Sequence, residues 1–285
     1  MTGTGLAERE IGISWSRLRE HMECPQHAHL KDQGKKAPVT DIRVFFPGTV
    51  VDRCMRRWLE QEVPQPGQMA AWCAEIMETE ERAARETKDG IVKWRSREDK
   101  AEVLANCIEC LTRLEPILSR LVLPYDYEPA ARFRVPLLIP YLDGSQQRIW
   151  LVGEMDLLTG CDTRHGRMHE VWDLKMTADN GYWRKTTGQL LFYDLAVLLM
   201  AGRYPVRCGL IQPMCAQQEL AFTFTGEQRR ELLMHISRYC AAVWRRDFPL
   251  RPTTDRCGFC DTKHACPRYA GDGGGGRVPW PVLGA

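Results

Sequence analysis

The sequence lacks the features that mark membrane, secreted and repeat proteins. Its longest apolar run, residues 190–201, is interrupted by Asp194 and is too short to cross a bilayer as a helix. The N-terminal residues carry no secretory signal, because the charged residues Glu8, Arg9 and Glu10 follow a start of small residues. No internal repeat is visible. We therefore expect a cytoplasmic protein without a membrane partner.

The chain also lacks a strong charge of either sign. Its 285 residues have a formal net charge of +2, with 27% charged and 44% hydrophobic residues. These values are typical of a soluble globular protein that is long enough to bury a substantial core. They neither indicate nor exclude nucleic-acid binding, because the distribution of charge decides this more than its sum.

Cysteine, in contrast, is abundant. Twelve cysteines in a small secreted protein would indicate a disulfide framework, but the length and the missing signal argue against one. The seven histidines show no H-x-x-x-H or similar zinc spacing. A reducing compartment in which some of the thiolates bind metal explains the composition better.

Hydrophobic spacing predicts an α/β (α+β) fold with a central mixed sheet flanked by helices. Helices dominate up to about residue 125, and strands, a buried helix over 186–201, two more strands and an amphipathic helix over 226–246 follow. The predicted organisation is a flexible N-terminus (1–12), N-terminal helices with Cys24 and Asp52 (13–62), a helical insert (63–125), a core (126–248), a cysteine segment (249–270) and a flexible tail (271–285).

Two carboxylates and a lysine in the core form the first candidate site. Asp173 and Lys175 share one face of a strand, and a strand over 148–159 precedes them. If the intervening turn, predicted over 161–167, is centred between residues 164 and 165, Asp156 lies opposite Asp173. Facing carboxylates repel, and a divalent cation such as Mg²⁺ or Mn²⁺ would relieve the repulsion. The alternative is a surface ion pair between Asp173 and Lys175, since the triplet Asp-x-Lys is common.

Further residues flank this pair. Gly153 precedes Asp156 by three positions, and Gln189 and Tyr193 lie one helical turn apart on the next helix, so both can face the same site. A lysine near a bound cation could orient or deprotonate a metal-bound water, because the cation depresses the pKa of the lysine.

The order Gly153-x-x-Asp156, Asp173-x-Lys175 and Gln189-x-x-x-Tyr193 resembles the RecB-like branch of the PD-(D/E)XK nucleases. The resemblance implies that Asp156 and Asp173 are metal ligands, that Lys175 is the catalytic lysine, and that Gln189 and Tyr193 support the lysine and the DNA strand. The family also has an upstream Gly-x-x-x-His with a metal-binding histidine. This chain has Gly48 followed by Asp52, which implies that Asp52 is the third ligand; the alternative is a first-turn acid favoured by the helix dipole.

A second candidate site consists of cysteines. Cys257-x-x-Cys260, Cys266 and the distant Cys24 supply four soft ligands, which suit either Zn²⁺ or a [4Fe–4S] cluster. The pattern resembles the iron–sulfur nucleases near AddB and the CRISPR-associated exonuclease of the Cas-four family, over roughly residues 14–268. That resemblance implies a structural [4Fe–4S] cluster. His27 and His29 near Cys24 are alternative ligands, and the remaining cysteines are assigned to packing: Cys54, Cys73, Cys107, Cys110, Cys161, Cys208, Cys215 and Cys240.

The candidate nucleic-acid contacts are Trp183, Arg184 and Lys185, where an aromatic ring beside two cations can stack a base and hold phosphates. Two further basic and aromatic patches lie around Trp58 and Trp94. Each patch alone is better explained as a solvated face of the protein, and only the patches together make DNA contact an equal alternative.

Together these features predict a metal-dependent DNA exonuclease that prefers single strands, with endonuclease cleavage as an additional activity. Family members of this type serve CRISPR adaptation, recombination or bacteriophage replication, so the expected partners are DNA and either a second copy of the chain or a recombination or CRISPR-adaptation protein. The alternatives are a catalytically weak DNA-binding or adaptor protein that keeps the nuclease fold, and a zinc-stapled structural protein.

Overall fold

The computed structural model describes residues 10–37, 41–87, 91–122, 126–163, 166–253, 257–258 and 260–269. The flexible segments predicted over 1–12 and 271–285 lie outside these ranges, except for residues 10–12. The described residues divide into two compact units, the first drawn from 1–15 and 39–234 and the second from 16–38 and 235–285. The candidate carboxylate site lies in the first unit and the four cysteines lie in the second.

The helices follow the hydrophobic spacing of the sequence. They are α1 (Trp15–Glu23), α2 (Pro25–Asp32), α3 (Phe46–Leu59), α4 (Gln68–Thr87), α5 (Arg97–Val122), α6 (Trp183–Ala201) and α7 (Gly226–Arg245), and a short 3₁₀ turn spans Lys263–Ala265. Proline occupies the first turn of both α2 and α3, where its fixed φ suits a helix and its missing N–H is no loss. Among the described residues, none of the helices is long and apolar enough to cross a membrane.

The strands are β1 (Gly12–Ile13), β2 (Asp126–Pro140), β3 (Gln146–Thr163), β4 (Gly166–Leu174), β5 (Arg207–Ile211) and β6 (Glu219–Phe222). They form one sheet in the order β1-β3-β4-β5-β6, and β2 pairs with β3 as well. The β1–β3 and β4–β5 pairs are parallel, whereas the other pairs are antiparallel. The predicted mixed sheet flanked by helices is confirmed.

The hairpin of β3 and β4 has the predicted register. Leu157 pairs with Trp172, and the same register places Asp156 opposite Asp173. The turn predicted over 161–167 is too long, however, because β3 continues to Thr163 and β4 begins at Gly166. Gly12 was also expected in a flexible N-terminus, but it pairs with Trp150 in a parallel strand. Backbone pairing over such a distance leaves no local signal in the sequence.

The main core of the first unit lies between α3, α4, α5 and one face of the sheet. Trp172, which is 1% exposed, packs into this core, and Leu174 and Met176 pack against it. Asp173 points to the opposite face of β4, as strand alternation predicts. The sheet therefore separates an apolar layer from a polar site.

Candidate functional site

The site lies where β3 changes partners along one of its edges. On that edge β3 pairs with β1 at Trp150 and Leu151, and with β4 from Leu157 onward. Over residues 152–156 neither β1 nor β4 is paired with it. On the opposite edge β2 pairs with β3 from Gln146 to Gly160, with a break at Asp156. The sheet therefore forks beside Asp156, and backbone groups in the fork need partners from elsewhere.

The hydroxyl of Tyr193 satisfies one of these groups. It donates a hydrogen bond to the carbonyl of Glu154 at 2.7 Å, and the Gln189 Nε2 amide donates to the Tyr193 hydroxyl at 2.7 Å. Burial, followed by the charge of Asp173, raises the pKa of Tyr193, so the phenol stays protonated. The predicted Gln-Tyr pair is thus brought to the fork of the sheet, where it supports the strand that carries Asp156.

Gly153 is required by the packing of an aromatic ring on the same strand pair. A Cβ atom at this position would lie 2.6 Å from the ring of Phe133, the residue that pairs with Gly153 on β2. Phe133 in turn packs edge-to-face on Tyr193, with ring centroids 6.0 Å apart. The glycine of the Gly-x-x-Asp motif therefore makes room for the ring that helps to position Tyr193.

The predicted acidic pair and lysine lie together at this fork. Asp173 is fully buried, and Lys175 Nζ lies 2.8 Å from its Oδ2 and 3.0 Å from its Oδ1. Asp156 is half-buried, and its Oδ2 accepts a hydrogen bond from the N–H of Leu174 at 2.7 Å. The surface ion pair considered as an alternative is excluded, because Asp173 has no exposed side-chain surface.

The electrostatics of the three groups follow from burial and mutual charge. Burial and then the charge of Asp173 raise the pKa of Asp156 to about 7, against the opposing effect of Lys175. Burial likewise raises the pKa of Asp173. Burial lowers the pKa of Lys175, but the carboxylates outweigh it and the pKa is raised. Without a cation, the lysine therefore holds its proton and neutralises the acids.

The donor set fits a hard divalent cation. Asp173 Oδ2 is buried and receives no hydrogen bond of good geometry, although the lysine ammonium lies close to it. A buried carboxylate oxygen in this condition is costly unless a cation or a donor satisfies it. Carboxylate oxygens are also the ligands that Mg²⁺ and Mn²⁺ prefer. Asp156 and Asp173 can therefore hold such an ion.

Asp52 lies near the acidic pair but has a partner of its own. Its negative charge contributes to the raised pKa of Asp156, which places the two carboxylates within electrostatic reach. Arg56, one turn further along α3, lies with Nε 2.8 Å from Asp52 and with Nη2 2.6 Å from Glu154. Glu154 also binds Arg132 at 2.9 Å. The sequence interpretation missed this bridge, for which the four-residue spacing of Asp52 and Arg56 was the available signal.

The candidate nucleic-acid residues at the start of α6 are only partly free. Trp183 packs against Phe222, with ring centroids 6.2 Å apart, and the guanidinium of Arg184 lies 5.3 Å from the Trp183 ring centre. Arg184 and Lys185 are exposed, and Lys185 lies 4.0 Å from Asp179. The two cations can meet a phosphate, whereas the tryptophan ring already has partners.

The two other basic and aromatic patches are largely occupied by internal contacts. Trp58 is 1% exposed and its indole N–H donates to the Gln65 carbonyl, so it offers no face to a base. The indole N–H of Trp94 donates to Glu81 at 3.2 Å. These patches are better explained as packing between helices than as nucleic-acid contacts.

The four candidate cysteine ligands come together in the second unit. Burial, opposed by the N–H of Arg268, raises the pKa of Cys266, and the thiols of Cys260, Cys24 and Cys257 raise it further. The four sulfurs therefore lie close enough to interact. Each is half-buried, which is compatible with a bound group held by four thiolates.

A more compact set of donors lies beside these cysteines. The described residues contain one group of three His, Cys, Asp or Glu side chains whose donor atoms lie within 4.8 Å of one another, and it comprises His27, Cys260 and Asp261. The three acids of the first unit do not meet that distance in the described structure, and neither do three of the cysteines. His27 was considered as an alternative ligand, whereas the sequence interpretation missed Asp261.

The remaining cysteines are packing residues, as predicted, where the structure describes their side chains. They are buried in the cores of their units, and they are Cys54, Cys73, Cys107, Cys110, Cys208, Cys215 and Cys240. The side chain of Cys161 lies outside the described part of the chain.

Comparison with known proteins identifies the superfamily of the chain. No curated protein matches the chain. The sequence profile of the PD-(D/E)XK nuclease superfamily matches residues 12–267, which include β1, the forked sheet and the cysteine segment. The match covers most of the chain, and we conclude that the protein belongs to the PD-(D/E)XK nuclease superfamily.

Proposed function

We propose that the protein is a metal-dependent deoxyribonuclease that acts as an exonuclease on single-stranded DNA and also cleaves internally. The observation that carries this proposal is the cluster of Asp156, Asp173 and Lys175 at the fork of the sheet, in which the fully buried carboxylate of Asp173 pairs with the lysine ammonium. Membership of a nuclease superfamily supports hydrolysis of a phosphodiester bond. The choice of DNA, of single strands and of strand ends is our proposal.

In this site Asp156 and Asp173 hold Mg²⁺ or Mn²⁺, and Asp52 is the third candidate ligand. A bound cation polarises the phosphoryl oxygen and lowers the pKa of a bound water. Lys175 holds its proton while it is paired with Asp173, so it orients a water in this state. Lys175 could act as a base only as the neutral amine, after losing its proton, and the positive charge of a bound cation would favour that loss by depressing its pKa. Gln189 and Tyr193 hold the β3 backbone beside Asp156 through the carbonyl of Glu154.

The path of the DNA strand is assigned to the start of α6. Arg184 and Lys185 are exposed there and can contact phosphates, while Trp183, packed on Phe222, lines the path rather than stacking freely. Phosphate contacts of this kind position a strand without reading its sequence. A nuclease that is indifferent to sequence is the expected result.

In the second unit we propose that Cys24, Cys257, Cys260 and Cys266 hold a structural [4Fe–4S] cluster. Four sulfurs around one Zn²⁺ at about 2.3 Å would be roughly 3.8 Å apart. The described cysteines do not provide a group of three that is compact even to 4.8 Å, and this wider spacing favours the larger cluster. The expected setting is DNA recombination, phage replication or CRISPR adaptation, with a second copy of the chain or a protein of those processes as the partner.

The test is digestion of end-labelled linear and circular single-stranded DNA in Mg²⁺ and in Mn²⁺. We expect the unmodified chain to degrade linear DNA much faster than circular DNA, and the variants Asp173→Ala and Lys175→Ala to lose the activity. Glu128→Ala, at an exposed position on β2, is the matched control that retains it. Undiminished digestion by the two site variants would refute the proposal. RNA in place of DNA identifies the substrate class.

One observation favours a second candidate function, a catalytically weak DNA-binding or adaptor protein. Arg56 pairs with Asp52, so a side chain at the position of the family's third ligand is already neutralised. If this candidate is correct, the unmodified chain binds single-stranded DNA but does not cleave it in any divalent metal. Its affinity is then unaffected by Asp173→Ala.

A further inference from the structure

A nitrogen, a sulfur and an oxygen donor converge in the second unit, apart from the carboxylate site. His27 lies in α2, and Cys260 and Asp261 lie just before Thr262, the residue that precedes the Lys263–Ala265 turn. Although 234 positions separate His27 from Asp261, the donor atoms of the three residues all lie within 4.8 Å of one another. The fold thus assembles three different ligand types at one point.

Neighbouring contacts hold each donor in place. The Nε2 atom of His27 lies 2.7 Å from Asp261 Oδ1, and the Asp261 carbonyl accepts a hydrogen bond from the N–H of Ala37 at 2.8 Å. The Cys260 sulfur lies 3.3 Å from the hydroxyl of Thr262, which is itself fully buried. Ligands held by such contacts lose little conformational freedom when an ion binds.

We propose that His27, Cys260 and Asp261 form a binding site for a single divalent cation of the zinc class. Imidazole, thiolate and carboxylate are the ligands that zinc accepts, whereas Mg²⁺ and Ca²⁺ avoid sulfur. Three protein ligands leave one position for water or a further donor. The His27 and Asp261 side chains are 20% and 31% exposed, so an ion can reach the site from solvent.

Lys31 supplies the counter-charge when the site is empty. Its Nζ lies 4.0 Å from Asp261 Oδ2, and it also pairs with Glu20. The ammonium can stay with Glu20 when a cation takes over the carboxylate of Asp261. When the cation binds, it replaces the Lys31 ammonium as the positive partner of Asp261, and Lys31 remains paired with Glu20.

The site shares Cys260 with the proposed four-cysteine centre, and this one consequence rests on the proposed cluster. A single thiolate that completes one centre is not available to the other. Iron and zinc should therefore compete in the second unit, and a chain that holds the cluster should hold no zinc at His27. The zinc-class site itself does not depend on nuclease activity, since its ligands lie outside the unit that carries Asp173.

The experiment isolates the three donors from the rest of the cysteines. Full-length chain with Cys257→Ser and Cys266→Ser is purified without oxygen, freed of metal with a chelator, and titrated with Zn²⁺ against a chromophoric competitor. We expect one Zn²⁺ per chain. Adding His27→Ala should weaken the affinity by at least about 100-fold, since even the loss of an outer contact to a ligand weakens affinity by about 10- to 100-fold. Adding His264→Ala, an exposed histidine of the same unit, should leave it unchanged.

Two further measurements keep the test decisive. Asp261→Asn preserves the shape of the side chain and should weaken Zn²⁺ binding without changing the circular dichroism spectrum, which guards against simple misfolding. Absence of stoichiometric zinc, or equal affinity with and without His27, would overturn the inference. Full occupancy by both iron and zinc in the unmodified chain would overturn the shared role of Cys260. Digestion of DNA that still depends on Asp173 in any of these cases leaves the nuclease proposal standing.

Discussion

Replacing Asp156 by asparagine should stabilise the metal-free protein while it removes metal-dependent cleavage. In the folded chain, burial and Asp173 raise the pKa of Asp156 from 3.8 to about 7. When folding raises the pKa of an acid, the folded chain is most stable below the pKa that the acid has in the unfolded chain, where the acid is protonated in both states. The free energy of unfolding then falls as the pH rises through the pKa of the folded chain. At pH 8 Asp156 is ionised in the folded chain, and its buried charge therefore lowers the free energy of unfolding.

The difference between a pKa of 3.8 and one of about 7 corresponds to about 4 kcal/mol, which is an upper limit because Asp156 and Asp173 titrate together. The amide that replaces the carboxylate is not charged, and its oxygen can still accept from the N–H of Leu174. In EDTA at pH 8 we expect Asp156→Asn to melt at a higher temperature than the unmodified chain, by up to about 10 °C. The gain should shrink as the pH falls below about 7 and vanish near pH 4.

Mn²⁺ should offset much of the stability that Asp156→Asn gains in EDTA. An ion present at 100 times its dissociation constant stabilises the binding-competent chain by about 2.7 kcal/mol and leaves the variant unaffected. The assay is thermal unfolding followed by circular dichroism, with Glu128→Gln as the matched carboxylate-to-amide control on the exposed part of β2. An Asp156→Asn variant no more stable than the unmodified chain in EDTA, or an equal gain for the control, would refute the reasoning.

Three further predictions test other parts of the structure. Gly153→Ala should lower the free energy of unfolding by about 1–3 kcal/mol, because the added Cβ would lie 2.6 Å from the Phe133 ring. In a Phe133→Ala background the same substitution should cost less. Losses in urea unfolding that simply add in the double variant would contradict this explanation. Arg56→Gln should lower the half-saturating Mn²⁺ concentration for DNA cleavage by about 2- to 5-fold, because it frees Asp52, and an unchanged or higher concentration would argue against Asp52 as a ligand. Burial and the positive charges of nearby residues lower the pKa of His21 to about 4, so its contribution to the unfolding free energy falls as the pH drops from about 6.5 toward 4, because only the unfolded chain takes up the proton there. Asp156 acts in the opposite direction over this range, so the measurement is the difference in unfolding free energy between His21→Phe and the unmodified chain. This difference should shift in favour of the variant as the pH falls, and a difference that does not change with pH would contradict the reasoning.

The features of the candidate site that could be predicted are those set by the strand and helix repeats of neighbouring residues. Alternation along β4 placed Asp173 and Lys175 on one face, and the symmetry of the turn placed Asp156 opposite Asp173, as the register of Leu157 and Trp172 confirms. The helical spacing of Gln189 and Tyr193 likewise predicted that the two side chains face the same site, and the structure adds the hydrogen bond between them. Such patterns depend on two or four residues at a time, and for that reason they can be read without the fold.

The parts that could not be predicted depend on contacts between distant segments. The pairing of β1 with β3, which creates the fork, joins residues nearly 140 positions apart, and Gly12 bears no mark of it. The bridge from Asp52 through Arg56 to Glu154 joins a helix to a strand about 100 residues later. The same is true of the basic and aromatic patches, whose tryptophans were read as exposed although packing between helices occupies them.

Taken alone, the amino-acid sequence determined the side chains of the candidate site, their order along the chain, the faces of their strands and helices, and the resemblance to the nuclease superfamily. Those properties follow from short-range repeats and from side-chain chemistry. Only the tertiary structure decided which groups are buried, which acids have a cation of their own, and which donors surround Cys260. Burial and charge pairing depend on residues that are far apart in the sequence and that folding brings together. The spacing of residues that are close in the sequence therefore does not reveal these contacts or their free energy.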